Sequence, residues 1–224
     1  MSIINLKQRL FAQLANVGKA LSNGNRLELL EFLAQNERSV ETLAELANLS
    51  VANTSQHLQH LRRAGLVAAR KQDRHVFYAI TDKTVLTLIT ALRYTAEKNS
   101  FEMSHLIEKY LTSRDSLEPI SQDILLRRIK DDLVTVIDVR PAEEFSAGHL
   151  PNAINIPLDY LDQEIQNLSD KNDIIAYCRG PYCLLAFEAV GRLRAKGMNA
   201  RRLEDGFPEW ELAGLPIERS THLS

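Results

Sequence analysis

The chain opens on an apolar stripe. Ile3, Ile4, Leu6, Leu10, Phe11, Leu14, Val17 and Leu21 recur at three- and four-residue steps, which predicts an amphipathic helix over Ile3–Leu21. Leu27, Leu30 and Leu33, with Leu29 and Phe32 beside them, predict a second helix over 26–33. Val40, Leu43, Leu46 and Ala47 form a short third helix behind Ser39, and Asn48-Leu49-Ser50 breaks it. Ser50 is suited to cap a fourth helix over 52–63, which Ala64-Gly65 ends. Residues 67–70 and His75–Ile80 read as two short strands joined by a polar tip at 71–74. A long amphipathic stretch follows, carrying Val85, Leu88, Ile89 and Leu92, then Leu106, Ile107, Tyr110 and Leu111.

Residues 112–119 are polar and proline-punctuated, the expected linker between domains at 1–112 and 113–224. Beyond it the rhythm changes. Strands are predicted at 134–139, 153–156 and 174–177, and helices at 121–129, 161–168 and 184–196. Strands alternating with helices imply an α/β layer with a largely parallel sheet. There is no internal repeat.

Composition narrows the class. With 224 residues, 45% hydrophobic and 25% charged, the chain is ordinary globular protein; collagen-like, disordered and disulfide-scaffold classes are excluded. No apolar run approaches the roughly 18 residues a membrane helix needs, and the first residues lack a signal peptide's basic start and apolar block. Two cysteines build no disulfide framework, so a reducing cytoplasm is the expected location. Charge is uneven: residues 1–115 hold 15 Lys+Arg against 11 Asp+Glu, residues 116–224 hold 12 against 18. The first half is the one suited to an anionic partner.

The first half carries the parts of a DNA reader: two short helices joined by a tight break, then a ribbon with a basic tip. The second of those helices presents Asn53, Thr54, Ser55, Gln56, His57, Gln59, His60, Arg62 and Arg63. Amides bond adenine edges, arginine bonds guanine and hydroxyls reach phosphate. Leu58 and Leu61 among them anchor the helix to its core, and Lys71 and Arg74 at the tip are placed for phosphates. The competing reading is a solvated helix face and a polar hairpin with no partner; the ordered combination favours DNA. Ala20-Leu-Ser-Asn-Gly-Asn-Arg-Leu-Glu-Leu-Leu30, Ser50-Val-Ala-Asn-Thr-Ser-Gln-His-Leu-Gln-His-Leu-Arg-Arg-Ala-Gly-Leu-Val67 and Arg74-His-Val-Phe-Tyr78 resemble the arsenical-resistance-repressor (ArsR) family over roughly residues 5–100. The resemblance implies a mainly α winged helix-turn-helix. It also implies a homodimer built from the first and last helices of this domain, bound to double-stranded operator DNA with an inverted repeat. Many members sense metals. Here residues 1–115 hold no cysteine and His105 has no second histidine to pair with, while His57 and His60 sit on the reading face, so no metal is expected.

In the second half, the strand at 174–177 runs into Cys178-Arg-Gly-Pro-Tyr-Cys183 and then a helix. Backbone amides of a turn preceding a helix converge on one point, and the helix dipole adds positive potential. A cysteine there is more thiolate at neutral pH. A buried structural cysteine competes with this reading, and Cys-x4-Cys is a weak metal signature. Ile137-Asp-Val-Arg-Pro-Ala-Glu-Glu-Phe-Ser-Ala-Gly-His-Leu-Pro-Asn-Ala153 and Leu203-Glu-Asp-Gly-Phe-Pro-Glu-Trp210 resemble the rhodanese family at both ends of the domain, over about residues 118–218. That implies a three-layer α/β domain in which Cys178 forms a persulfide with a small sulfur donor and passes the outer sulfur to a thiol acceptor, with no cofactor. Arg179 would steer an anionic donor, and the loop amides of Gly180, Pro181, Tyr182 and Cys183 would bind it. Asp138, Arg140 and His149 match motif positions and read as supporting structure.

Three departures matter. Gly180 stands where thiosulfate-using members often carry a basic residue. Cys183 replaces the usual Ser or Thr, and its thiol is placed to attack the persulfide and form a disulfide if the two Cα atoms lie within ~7 Å. The six-residue loop is followed by Leu184 rather than an arginine, unlike phosphatase or arsenate-reductase relatives. The leading expectation is a cytoplasmic, dimeric transcription regulator with a sulfur-handling domain, active as a sulfurtransferase or as a reactive-sulfur sensor, with no membrane partner. Two alternatives stay open: a sulfurtransferase using the winged helix mainly to dimerise, and a plain repressor with an inert rhodanese-like binding module.

Overall fold

The computed structural model describes residues 3–111, 119–168 and 172–220, and the expected linker falls almost wholly outside them. The chain divides into two compact units, residues 1–89 and 90–224.

In the first unit, helices α1 (Ile3–Leu21), α2 (Gly24–Leu33), α3 (Val40–Leu46) and α4 (Val51–Arg63) surround a three-stranded antiparallel sheet. Strand β1 (Arg38–Ser39) pairs with β3 (His75–Ile80), which pairs with β2 (Val67–Gln72) in the order β1-β3-β2. Side-chain oxygens start three helices: Asn23 accepts from the Arg26 amide, Ser39 from Thr42 and Ser50 from Asn53. The break between α3 and α4 is a Schellman motif: Asn48 takes φ 51°, its amide donates to Glu45 O and the Leu49 amide to Ala44 O. Gly65, at φ 76°, ends α4 the same way, with the Leu66 amide donating to Leu61 O. The core gathers Leu29, Leu30, Leu43, Leu58, Leu61 and Val67. Among the described residues of α1, only Ala20 and Leu21 are buried there.

Helix α5 (Lys83–Asn99) begins in the first unit, where Val85 is a core residue, and its residues from Thr90 onward belong to the second. The side chains of Arg93 and Glu97, described below, belong with the second unit. Ser100 breaks the amphipathic stretch by capping α6 (Phe101–Tyr110) at the Met103 amide.

The rest of the second unit holds a parallel sheet in the order β5-β4-β6-β7: β4 (Val134–Asp138), β5 (Ile154–Asn155), β6 (Asp173–Tyr177) and β7 (Ala200–Arg202). Period-2 alternation sorts β6 between two helical layers. Ile174, Ala176 and Cys178 face the cluster containing α9 (Leu161–Glu164) and α10 (Leu184–Ala195). Ile175 and Tyr177 face Leu125 of α7 (Gln122–Lys130) and Phe207 and Trp210 of α11 (Phe207–Leu212). This is the expected three-layer arrangement. Strands β1 and β7 and helices α8 (Ala142–Ala147) and α11 are additions that the hydrophobic pattern did not reveal. The helix expected over 161–168 is one α turn flanked by 3-10 turns.

Candidate functional site

On α4 the expected reading residues divide by face. Gln56, Gln59, His60, Arg62 and Arg63 are exposed, and Asn53, Ser55 and His57 are half-buried. Thr54 is a correction: it is fully buried. It stands four and seven residues before Leu58 and Leu61, so the same helical stripe that anchors α4 carries it into the core. Burial, then Arg26 and His60, hold His57 below the usual histidine pKa. At the wing, Lys71 and Arg74 are exposed, with Asp73 at φ 54° turning the chain between Gln72 and His75.

Cys178 lies at the end of β6, 1% exposed, and is joined by a disulfide to Cys183, the N-cap residue of α10. Their Cα atoms are 6.1 Å apart, inside the range the sequence reading required. The loop between them is held from three sides. Its own turn is closed by the Cys183 amide donating to Gly180 O at 3.1 Å. The Phe207 amide donates to Cys178 O at 3.1 Å, and Gly206 packs so closely that a Cβ there would stand 2.4 Å from Arg179 C and Gly180 N. Two expected donors are therefore corrected: the Cys183 amide is consumed by the turn, and Pro181 has no N–H. Gly180 and Tyr182 supply the remaining amides of the four.

The Arg179 guanidinium does not reach over the loop. It donates to both oxygens of the fully buried Glu144 carboxylate, at 2.8–3.0 Å, which makes it an anchor of the loop rather than a steering charge. Glu144 was not singled out in the sequence, where two adjacent glutamates in a charged stretch give no sign of which is buried. Beneath lies a second buried pair. Asp138 accepts from the Arg140 amide at 2.9 Å and from its guanidinium at 2.6–3.1 Å. Arg140 also donates to Gly148 O at 2.8 Å and stacks over Phe207, 4.4 Å from the ring centre. His149 stacks on Phe145 at 3.7 Å, its Nδ1 is 2.9 Å from Phe145 O and its Nε2 is 3.6 Å from Glu218. These three side chains are set in structure rather than presented to the loop.

Beside the loop is a cleft of about 820 Å³, whose lining includes Arg93, Glu97, Pro181, Tyr182, Asp205 and Glu209. Burial first, then the hydrogen bond to Glu97, push the Tyr182 phenol up from its ordinary pKa, so it remains a donor. Among the described residues no group of three or more His, Cys, Asp or Glu is arranged to hold a metal ion. No described helix is long and apolar enough to cross a membrane.

Comparison with known proteins finds two families in succession along the chain. Residues 23–69 match the model of bacterial regulatory proteins of the arsR family, and residues 121–213 match the rhodanese-like domain. An HTH-type transcriptional regulator of Mycobacterium tuberculosis is 41% identical over 212 residues, covering 95% of this chain and 93% of the relative. The transcriptional activator HlyU of Vibrio cholerae is 43% identical over 74 residues, 33% of this chain and 68% of the relative. A solved homodimeric winged helix-turn-helix DNA-binding domain from Mycobacterium bovis is 38% identical, with a TM-score of 0.40, covering 43% of this chain and 89% of that one. With a relative matched over nearly its whole length and both family models satisfied in order, the chain belongs to the arsR family of bacterial regulatory proteins and carries a rhodanese-like domain after its winged helix-turn-helix.

Proposed function

We propose that this chain is a cytoplasmic, DNA-binding transcriptional regulator whose rhodanese-like domain takes up sulfane sulfur at Cys178 and uses the resulting state as a signal. The observation that carries the reading is the Cys178–Cys183 pair, since the second sulfur gives the first a partner within the same loop. In the dithiol form, the Cys178 thiolate attacks the outer sulfur of a persulfide or polysulfide donor. An S–S bond forms to Cys178, the donor's S–S bond breaks and its thiolate departs. The Cys183 thiolate then attacks the inner sulfur of Cys178–S–SH and expels hydrosulfide. Two thiols are oxidised to the disulfide, the transferred sulfur is reduced to sulfide, and no other oxidant is required. A small thiol acceptor that reaches the persulfide first carries its outer sulfur away instead, which is sulfurtransferase turnover.

DNA is read by the exposed face of α4, with Lys71 and Arg74 of the wing on phosphate. A homodimer is supported by α1, where Leu6, Leu10, Phe11 and Leu14 are each at least half exposed along successive turns. Disulfides in cytoplasmic proteins are most often transient redox sensors, which suits a signalling role over a structural one.

Intact-mass spectrometry of reduced protein after polysulfide treatment tests the chemistry. The expected result is disulfide in the wild type, a trapped gain of one sulfur in Cys183→Ser, and neither in Cys178→Ser. An unchanged mass in both wild type and Cys183→Ser would contradict it.

A further inference from the structure

Helix α5 carries two residues that lie outside both family matches yet touch the cysteine loop and its support. The hydroxyl of Tyr182, the residue next to Cys183, donates to Glu97. Arg93, one turn earlier, lies with its Nε 3.7 Å from Glu97, donates to Glu209 at 2.8 Å and to Asp205 at 3.2 Å, and has a largely covered side chain. Those two acidic residues flank Gly206, whose backbone packs on Arg179 and Gly180 and whose amide donates to Glu209 at 3.1 Å. The loop is thus tied to α5 at both ends: through Tyr182 directly, and through Gly206, Glu209 and Arg93. All of these residues lie in the second unit.

We propose that Tyr182, Glu97 and Arg93 form a latch through which the Cys178–Cys183 bond sets the order of the C-terminal half of α5. The proposal rests on the sulfur-signal reading for its biological input but not for its mechanics. In the disulfide form, covalent closure of the six-residue loop holds Tyr182 where its hydroxyl meets Glu97. Reduction passes two electrons and two protons to the cysteine sulfurs. The loop is then no longer closed, and Tyr182 is released from its fixed offset to Cys178. A hydrogen bond to a charged acceptor is lost, and α5 loses its brace on that side. By reciprocity, whatever the disulfide gives to the latch, the latch gives to the disulfide.

Hydrogen exchange of residues 90–99 in the full-length protein, oxidised and then reduced with dithiothreitol, tests the latch. Wild type is expected to exchange several-fold more slowly as the disulfide than as the dithiol. Tyr182→Phe and Glu97→Ala are expected to abolish that difference. Each is also expected to make the disulfide easier to reduce, by roughly tenfold in the equilibrium with dithiothreitol, the scale of one hydrogen bond to a charged group. Thermal unfolding of both variants confirms that they fold. Equal exchange in the two wild-type forms, or a difference that survives both substitutions, overturns the latch. Dithiothreitol involves no sulfur donor, so a protein that takes up no sulfane sulfur still gives a clear answer here. Conversely, a failed latch leaves persulfide formation at Cys178 standing.

Discussion

Glu144 and Asp138 are fully buried carboxylates, and each is compensated by one arginine of the loop region. Removing Asp138 takes from the Arg140 guanidinium, itself without solvent access, the carboxylate to which it donates. Asp138→Ala is therefore expected to cost about 3–5 kcal/mol in denaturant unfolding of the second unit. Gly206 tests shape rather than charge. Its φ of −109° suits any residue, so Gly206→Ala is strained only by the 2.4–2.5 Å approach to the Arg179–Gly180 backbone. It is expected to cost about 1–3 kcal/mol and to slow sulfur uptake at Cys178 by displacing the loop, both absent from a Gly191→Ala control, where a Cβ meets nothing. Among single residues the sequence disclosed the Cys178–Cys183 pair at the end of β6, because a strand running into Cys-x4-Cys and a helix has a chemical reason of its own. It did not disclose that Arg179 is occupied or that Thr54 is inside, since both depend on which neighbours the fold supplies.

Helices with repeating apolar positions were legible to within a residue or two: α1, α4 and α10 stand nearly where spacing puts them. Strands β1 and β7 have two and three residues and exist through pairing with β3 and β6, a tertiary fact that local pattern does not carry. Helices α8 and α11 have six residues each, too short for a stripe to repeat. The stripe on α1 has its own consequence. Leu10 and Leu14 are 57% and 66% exposed, an apolar stripe on one helix that suits the homodimer proposed above. The double change Leu10→Glu, Leu14→Glu is expected to convert a dimer to a monomer in light scattering, while wild-type mass at monomer value contradicts the dimer. On α4, the pKa of His57 is lowered by burial, so the unfolded chain binds a proton that the folded one resists. The contribution of a neutral His57 to the stability of the first unit is then lost as pH falls below about 6.5, and His57→Gln flattens that part of the pH dependence of the thermal midpoint.

At the scale of the molecule, the two domains were legible as a change of rhythm, from helical stripes to alternating strands and helices, and as a change in the sign of charge. The contacts of residues 90–111 were not. Residues 90–111 are helical and amphipathic like the first half, but Arg93 and Glu97 bind side chains more than 80 residues away, which no periodicity reports. On the sulfur-signal reading proposed above, DNA affinity changes when Cys178 changes state, because a signal with equal affinity for both arrangements shifts nothing. The most direct test is the binding isotherm of the full-length protein on operator DNA selected from genomic fragments by the reduced form. It is measured at one salt concentration before and after polysulfide treatment, with Cys178→Ser alongside. Wild type is expected to change by at least roughly fivefold, the lower end of ordinary coupling between sites, and Cys178→Ser not at all. Equal affinity of the two wild-type forms would contradict it.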